Sequence, residues 1–219
     1  MSVKITWLGH ACFLFEDQSG TRVLTDPFNK MVGYPVPEIN VAVVTVSHEH
    51  SDHNAVQILP GNPAVIRGPG THNISGLTVK GIATFHDGAR GSERGSNTVF
   101  VIEMENIKIC HLGDLGHQLD AGQAQEIGSV DVLLVPVGGT FTIDSAGAKQ
   151  VVEALRPKLA IPMHYHTEMV KLPISPVENF TNLFQNVKEA KFLELSPVSL
   201  PDETEVVVLE LSRAENKSL

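Results

Sequence analysis

The sequence predicts an α/β (α+β) fold of four layers, αββα, in which two mixed β-sheets pack face to face with helices outside. Three observations predict it. Short strand-like segments follow one another early in the chain, whereas strands and helices alternate later. Two continuous aliphatic runs, 131–137 and 159–163, are typical of strands buried on both faces. Between them, segment 144–155 spaces its apolar residues three and four apart, as in a helix that faces a sheet.

The first third of the chain is predicted to be rich in β-strands. A turn at 17–20 divides an antiparallel meander, and the residues after His53 are expected to form a short helix that ends at Gly61. Loop 28–40 has little periodicity. Its apolar residues have three possible roles, which are to cover a substrate, to contact a second copy in a homo-oligomer or to pack on the domain's own core. The last is the commonest in such loops. The expected strands are Val3–Trp7, Ala11–Glu16, Thr21–Thr25, Val41–Val46 and Ala64–Arg67.

The rest of the chain is predicted to alternate strands with helices. Asp120 and Gln123 match a capping box for a helix that ends at Gly128, and Asp144 caps the helix of segment 144–155. A third helix is expected to begin at Ser175. Its expected buried residues are Val177, Phe180, Phe184 and Val187. The expected strands are Leu77–Phe85, Thr98–Glu103, Ile107–Cys110, Asp131–Val137, Leu159–Met163, Lys191–Leu195 and Glu205–Leu211.

Length and composition indicate one domain, 1–219, with a frayed polar tail at 212–219. The hydrophobic fraction of 42% is that of a soluble protein, and no apolar run approaches the roughly 20 residues that span a bilayer. The first seven residues lack the apolar core of a signal peptide, so a cytoplasmic location is expected. Cys12 and Cys110 lie in apolar segments and are expected to be core thiols.

The net charge of −9 argues against nucleic acid and anionic membranes as partners, because such partners favour clusters of Lys and Arg. A small-molecule substrate is expected instead. A metal site would offset part of this acidity locally, so that substrate can itself be anionic.

A metal site is predicted where the apolar run 41–46 ends. His48 and His50 lie two residues apart in extended chain, so their imidazoles can be directed to one point. Asp52 and His53 follow where the chain turns and can face a second point. Imidazole and carboxylate suit zinc, and also manganese or iron.

The H-x-H-x-D-H sequence of residues 48–53 resembles the signature of the metallo-β-lactamase superfamily. Further pieces follow in that family's order along most of the chain: Gly9-His10, Thr25-Asp26-Pro27, His86 after a strand, Asp114 in His-Leu-Gly-Asp, and His164 in Ile-Pro-Met-His-Tyr. These pieces look most like its branch of small stand-alone hydrolases. That branch is similar to L-ascorbate-6-phosphate lactonase and, more remotely, to N-acyl-phosphatidylethanolamine phospholipase D.

The resemblance implies a four-layer fold with a pair of divalent ions, zinc before manganese or iron. It assigns His48, His50 and His86 to one ion, Asp52, His53 and His164 to the other, and Asp114 to both. It also implies that Asp26 lies behind a metal-binding histidine, although an Asp-Pro turn explains that residue nearly as well. Two ions that share a solvent molecule supply hydroxide for hydrolysis of an ester, lactone or phosphodiester, with Asp52 and Asp114 as catalytic residues.

Other polar residues near these motifs have open roles. His111 and His117 flank the acid of His-Leu-Gly-Asp and are candidates for proton transfer or substrate contact. Arg90 and Arg94 lie in a glycine-rich loop after His86, where they bind a substrate phosphate or carboxylate or are simply solvated charges. His10 either lines the pocket or is a structural histidine in a tight turn.

Two alternative functions remain open from the sequence. A metal-stabilised scaffold or binding protein without catalysis would usually have lost ligands, yet all seven are present. The second is an iron oxygenase of the same fold. The related flavodiiron proteins carry Glu at the position of His50 and need a flavin domain, so a single-iron enzyme is the remaining form of this alternative.

Overall fold

The computed structural model describes residues 1–213, and its fourteen strands form one sheet of six strands and one of eight. The prediction of two mixed sheets is confirmed. The strands are β1 (Val3–Gly9), β2 (Cys12–Asp17), β3 (Arg22–Thr25), β4 (Val43–Val46), β5 (Ala64–Arg67), β6 (Gly70–Ile74), β7 (Leu77–Phe85), β8 (Ser96–Met104), β9 (Ile107–His111), β10 (Val132–Pro136), β11 (Leu159–Met163), β12 (Val187–Ala190), β13 (Leu193–Leu195) and β14 (Glu205–Leu209).

The six-stranded sheet has the order β13-β1-β2-β3-β4-β5, and the eight-stranded sheet the order β12-β14-β11-β10-β9-β8-β7-β6. Neighbours are antiparallel from β13 to β3 and parallel from β3 to β5. In the larger sheet, β6 to β9 are antiparallel and the remaining pairs are parallel. Strands of both sheets contribute side chains to one buried cluster, which includes Phe13, Phe15 and Phe100.

Three α-helices accompany the sheets, namely α1 (Ala121–Ile127), α2 (Ser145–Leu155) and α3 (Glu178–Thr181). The predicted capping box of α1 is present, because Asp120 accepts from the backbone N–H of Gln123 and the side chain of Gln123 accepts in return. Helix α1 contacts β7, and α2 contacts β10 through its buried apolar face. Short 3-10 helices occupy Val56–Ile58 and Pro197–Ser199.

The prediction of a longer third helix that begins at Ser175 is wrong. The N–H of Ser175 donates to the carbonyl of Gly138, which holds this segment in an extended path. Helix α3 has four residues, begins after Val177 without a side-chain cap, and still buries Phe180. Val187 is exposed and begins β12, an edge strand. Its backbone pairs with that of β14, which places it in a sheet instead of a helix.

The expected set of strands lacks one that the structure has. Residues 70–74 form β6, which pairs with β7. Beyond β14, the N–H of Ser212 donates to the carbonyl of Trp7. The remaining predicted tail, 214–219, lies outside the described residues. Cys12 and Cys110 are free and buried as expected, and burial raises the pKa of both thiols.

Loop 28–40 packs on the domain's own core, the commoner of the three alternatives. Phe28, Tyr34 and Ile39 are buried, whereas Met31 is exposed. Gly33 ties the loop to segment 167–170, because it has φ +107° and a Cβ there would lie 2.0 Å from the carbonyl oxygen of Met169.

Replacing Gly33 with alanine should therefore destabilise the fold strongly. The left-handed backbone and the collision together should lower the free energy of unfolding by about 3 kcal/mol or more. Gly20→Ala is the matched control, since Gly20 has φ +87° but nothing within 4 Å of its Cβ position. We expect a loss of about 1 kcal/mol there. Urea denaturation measures both, and equal losses would show that the contact with segment 167–170 is unimportant.

Candidate metal centre

The predicted ligands, together with His10 and Asp26, lie at or shortly after the carboxyl ends of strands. His10 directly follows β1, Asp26 follows β3, His86 follows β7 and His164 follows β11, while Asp114 lies three residues after the end of β9. The cluster His48, His50, Asp52 and His53 follows β4. Because parallel strands such as β3 and β4 end at the same edge of a sheet, the topology gathers these side chains at one edge of the sandwich.

Asp114 lies at the middle of the assembled site. Its Oδ2 is 3.3 Å from Nε2 of both His53 and His86, 3.4 Å from Nε2 of His164 and 3.9 Å from Nε2 of His48. The carboxylate is buried. One oxygen atom therefore contacts histidines from three separate stretches of the chain.

The side chains around Asp114 form three groups that could each hold a metal ion; one of them, Asp26, His48 and His53, shares its histidines with the other two. Of these two, His48, His50 and His86 make one group, with ligand atoms within 4.8 Å of one another. Asp52, His53 and His164 make the other, and His10 joins them. The two groups have the membership expected from the sequence, apart from His10, and Asp114 lies between them.

A hydrogen-bonded chain behind the site orients two of the histidines. Asp26 accepts from Nδ1–H of His53 at 2.9 Å and from the backbone N–H and the hydroxyl of Ser47. Since the Ser47 hydroxyl donates to Asp26, its oxygen accepts from Nδ1–H of His48 at 2.9 Å. In the neutral form of each histidine, Nε2 is then the nitrogen without a proton and can bind an ion, which is how a second layer of residues supports metal ligands.

The site contains an unusual number of unpartnered polar atoms. Buried polar groups are ordinarily hydrogen-bonded, since an unpaired one costs free energy. In the part of the chain that is described, eight buried side-chain nitrogen or oxygen atoms lack a partner, and six belong to this site. They are His10 Nδ1, His48 Nε2, His53 Nε2, His86 Nδ1, Asp114 Oδ1 and His164 Nδ1. Such atoms around two groups of ligands fit divalent ions well.

Charge in the site follows from burial and from the crowding of histidines. Burial alone would raise the pKa of Asp114, but His164 and His53 outweigh it and hold that pKa well below its usual range. Burial lowers the pKa of His48 to about 3, with His53 adding to the effect. His53 differs, because Asp114 and Asp26 overcome its burial and raise its pKa well above the usual value. Binding of an ion at His53 therefore displaces a proton.

His10 contacts the site from behind Asp52. Its Nε2 is 3.3 Å from Asp52 Oδ2, and its ring lies 4.2 Å from the ring of His164. Burial, followed by His164, lowers the pKa of His10 to about 4. Neutral His10 then donates from Nε2 to the carboxylate of Asp52, and this contact fixes one orientation of Asp52.

Three residues of the site have a left-handed backbone, although none is glycine. His10 has φ 53°, Asp26 φ 40° and His164 φ 53°. Such conformations cost free energy, of order 1–3 kcal/mol each, and persist only where the surrounding fold enforces them. Each residue directly follows a strand, so the strand end turns sharply and directs the side chain into the site.

A cleft of about 190 Å³ opens onto this centre. It is lined by His50, Asp52, His86, Arg94, Asp114, Phe141, His164 and Leu172. A neighbouring cavity shares Asp52 and Leu172 with it and continues towards Met31 and Val32. His50 is exposed and lies at the mouth, so one side of the centre is open to solvent and to a substrate.

His111 and His117 do not line this cleft, contrary to the prediction of proton transfer or substrate contact. Nε2 of His111 donates to the carbonyl of Ala11 at 2.8 Å, and its Nδ1 accepts from the N–H of Gly113. His117 accepts at Nε2 from the N–H of Phe85 and donates from Nδ1 to the carbonyl of Gln118. Both rings are occupied by backbone groups, which leaves no nitrogen for a substrate.

Several supporting residues were missed by sequence reasoning. Ser47 connects His48 to Asp26, as described above. Asn97, in β8, accepts from the N–H of Asp114 at 3.0 Å and donates to the carbonyl of Leu112. The only signal for Asn97 was an amide just before the predicted strand Thr98–Glu103, and for Ser47 a hydroxyl before the first histidine.

Comparison with known proteins places this centre in a family. The model of the β-lactamase superfamily domain matches residues 4–164. The chain belongs to the metallo-β-lactamase superfamily. A UPF0173 metal-dependent hydrolase of Archaeoglobus fulgidus is 31% identical over an alignment that covers 90% of this chain and 96% of the relative. Another from Thermoplasma volcanium is 35% identical over 196 residues, covering 76% and 85%.

Solved structures agree with the superfamily assignment. A Thermotoga maritima member of the metallo-β-lactamase superfamily, proposed to be a Zn-dependent hydrolase, matches with a TM-score of 0.81 and 46% identity over 94% of this chain and 98% of that one. The predicted metallo-β-lactamase fold is confirmed, and the protein is a metal-dependent hydrolase. A diiron β-hydroxylase of Streptomyces venezuelae shares only the fold, with TM-score 0.56 and 16% identity over 74% and 44% of the two chains.

The helices also bear on the question of a membrane span. Within residues 1–213, none combines the length and the apolar character that a transmembrane helix needs.

Proposed function

We propose that this metal-dependent hydrolase holds two divalent ions, zinc before manganese or iron, and cleaves an ester, lactone or phosphodiester bond of a small substrate. The contact of Asp114 Oδ2 with histidines of both ligand groups carries this proposal. One ion would take His48, His50 and His86, the other Asp52, His53 and His164, with Asp114 as the shared ligand.

A pair of divalent ions supplies a strong Lewis acid and lowers the pKa of water towards neutrality. The chain's own residues would orient the ligands and the attacking water. Asp26 and Ser47 keep His48 and His53 in the tautomer that leaves Nε2 free. Asp52 is about one-third exposed beside the cleft, so its carboxylate can accept a hydrogen bond from the attacking water and orient it.

The shape of the cleft supports a small substrate. About 190 Å³ is below the 300–1,000 Å³ of typical ligand pockets. Phe141 and Leu172 provide its apolar surface, on which the carbon part of a substrate can pack. The open side at His50 admits the scissile bond, and the neighbouring cavity towards Met31 has room for a leaving group.

The direct test is metal analysis together with a screen of bond types. We expect two ions per chain after reconstitution with zinc or manganese, and turnover of at least one of three substrate kinds: an aryl ester, a lactone and bis(4-nitrophenyl) phosphate. A single ion at full activity would contradict the dinuclear centre. Full loading without any turnover would contradict the proposed bond classes, and iron with oxygen uptake would replace hydrolysis by the oxygenase alternative.

Removal of the ions should also lower thermal stability. An ion that binds only the folded chain, at 100 times its Kd, stabilises by about 2.7 kcal/mol, which for a chain of this size is a shift of roughly 5–10 °C in Tm. We expect a chelator to produce this shift in calorimetry and added zinc to reverse it. The same treatment of the Asp114→Ala variant should change Tm much less. An unchanged Tm in the parent protein would indicate that the buried histidines do not hold ions.

A further inference from the structure

The loop after His86 is held in place by one buried carboxylate. Oδ1 of Asp87 accepts from the backbone N–H of Ala89 and of Gly91, both at 2.8 Å. Its Oδ2 accepts from the N–H of Glu93 at 3.1 Å and of Arg94 at 2.7 Å. The side chain of Asp87 thus closes a ring of backbone donors, so this glycine-rich segment has a defined path.

The loop is also fixed on its other sides. The N–H of His86 donates to the carbonyl of Gly95, which joins the two ends of the loop. Gly116 lies against the start of the loop so closely that a Cβ there would be 2.3 Å from the nitrogen of Asp87. The backbone of Arg94 consequently has a fixed position relative to His86, a predicted metal ligand.

The guanidinium group of Arg94 is directed over the metal cleft. It lies 4.8 Å above the ring of Phe141, and Nη2 is 3.5 Å from the carbonyl oxygen of Thr140. Arg94 lines the cleft together with His50, His86 and Asp114. Stacking on an aromatic ring keeps the plane of the guanidinium in place and leaves most of its N–H groups free for a ligand.

The positive charge of Arg94 has no carboxylate partner within residues 1–213, since none of the ion pairs there includes it. It is also the only Lys or Arg among the residues that line the cleft. Half-buried cations without a partner are costly unless a ligand supplies the opposite charge. Arginine offers paired N–H groups that match the oxygens of a carboxylate or a phosphate.

We propose that Arg94 binds an oxyanion group of the substrate, carboxylate or phosphate, next to the bond that is cleaved. This inference rests on the proposed function and specifies its substrate class. Arg94 would bind a part of the substrate that does not react, so it should contribute to ground-state and transition-state binding alike and be seen in KM. The net charge of −9 disfavours anions over the surface as a whole, so a fixed cation at the cleft offers a local site for an anionic group.

The first test compares two aryl esters of equal length, mono-4-nitrophenyl glutarate and 4-nitrophenyl valerate, which differ in a distal carboxylate. We expect the zinc-loaded protein to prefer the glutarate ester. Arg94→Ala should raise KM for it by about 10- to 100-fold, with kcat and the valerate reaction little changed. Arg94→Lys should keep part of the preference. Arg90→Ala is the matched control, because Arg90 lies in the same loop but is exposed and does not line the cleft.

The second test measures binding without turnover. Calorimetric titration of glutarate and of inorganic phosphate into zinc-loaded protein distinguishes carboxylate from phosphate. We expect Arg94→Ala to weaken at least one of them tenfold or more at unchanged zinc content, and Arg90→Ala to weaken neither. Equal affinities in the parent and Arg94→Ala proteins, or an equal loss of kcat on both esters, would overturn the proposal. Arg94-dependent binding without cleavage of either ester would support the role of Arg94 and would remove only esters from the proposed bond classes.

Discussion

Asp114→Ala should abolish turnover, with kcat falling by at least about 1,000-fold, and should leave the chain unable to retain two ions. The carboxylate is buried, and its Oδ2 is within 3.4 Å of Nε2 of His53, His86 and His164. Alanine removes the ligand that both groups share and leaves those histidines to repel one another once ions or protons charge them. Metal analysis after dialysis and steady-state kinetics on the best substrate measure the two effects.

A matched aspartate at a helix end controls for folding. Asp120→Ala removes the cap of α1, which is exposed and outside the cleft, and should cost about 1 kcal/mol of stability with full metal content and activity. Normal metal content and full activity in Asp114→Ala would refute the shared-ligand role. Circular dichroism of both variants separates loss of the centre from loss of the fold.

Asp26→Asn should have the second largest effect, although Asp26 contacts no ion in the proposed centre. If the amide oxygen remains towards the N–H of Ser47, the NH₂ group faces the Nδ1 of His53. That nitrogen must then accept, so the proton moves to Nε2, the atom required for the ion. We expect metal affinity to fall by about 10- to 100-fold. We also expect a loss of about 2 kcal/mol in the free energy of unfolding.

The Ser47→Ala variant distinguishes the support that Asp26 gives to His48 from the support that it gives to His53. It removes the link between Asp26 and His48 but keeps the bond from Asp26 to His53. Its loss of metal affinity should be smaller than that of Asp26→Asn. Competition with a chromogenic chelator measures both. Equal affinities in Asp26→Asn and the parent protein would show that tautomer control behind the histidines is unimportant.

The sequence predicted that these side chains would lie close together because they follow strands whose ends share one edge. The apolar runs before His48, His86 and His164 are long enough to be recognised as strands, and a histidine at the end of each was therefore placed correctly. Asp26 was ambiguous, since an Asp-Pro pair is also typical of a turn. Its hydrogen bond to His53 joins residues 27 positions apart, and local pattern carries no information about such a distance.

Other features depended on contacts that only the folded chain shows. The sequence around Ser175 is typical of a helix start, but the backbone N–H of Ser175 donates to the carbonyl of Gly138, and no helix begins there. The glycines of loop 88–96 do not indicate a fixed path, yet the carboxylate of Asp87 orders the loop through backbone groups that any sequence would offer. His111 and His117 looked functional because histidines beside a ligand often are, but each ring is directed at the main chain.

The left-handed turns at His10, Asp26 and His164 have a consequence for how the protein acquires its ions. Their backbones, not their rotamers alone, set where the side chains lie, and the adjoining strands enforce those turns before any cation arrives. In the proposed centre, loading would then require dehydration of the incoming cation and release of a proton, without reorganisation of the sandwich. We therefore expect the folded protein to exchange zinc for manganese during dialysis against the second ion, with its circular dichroism unchanged.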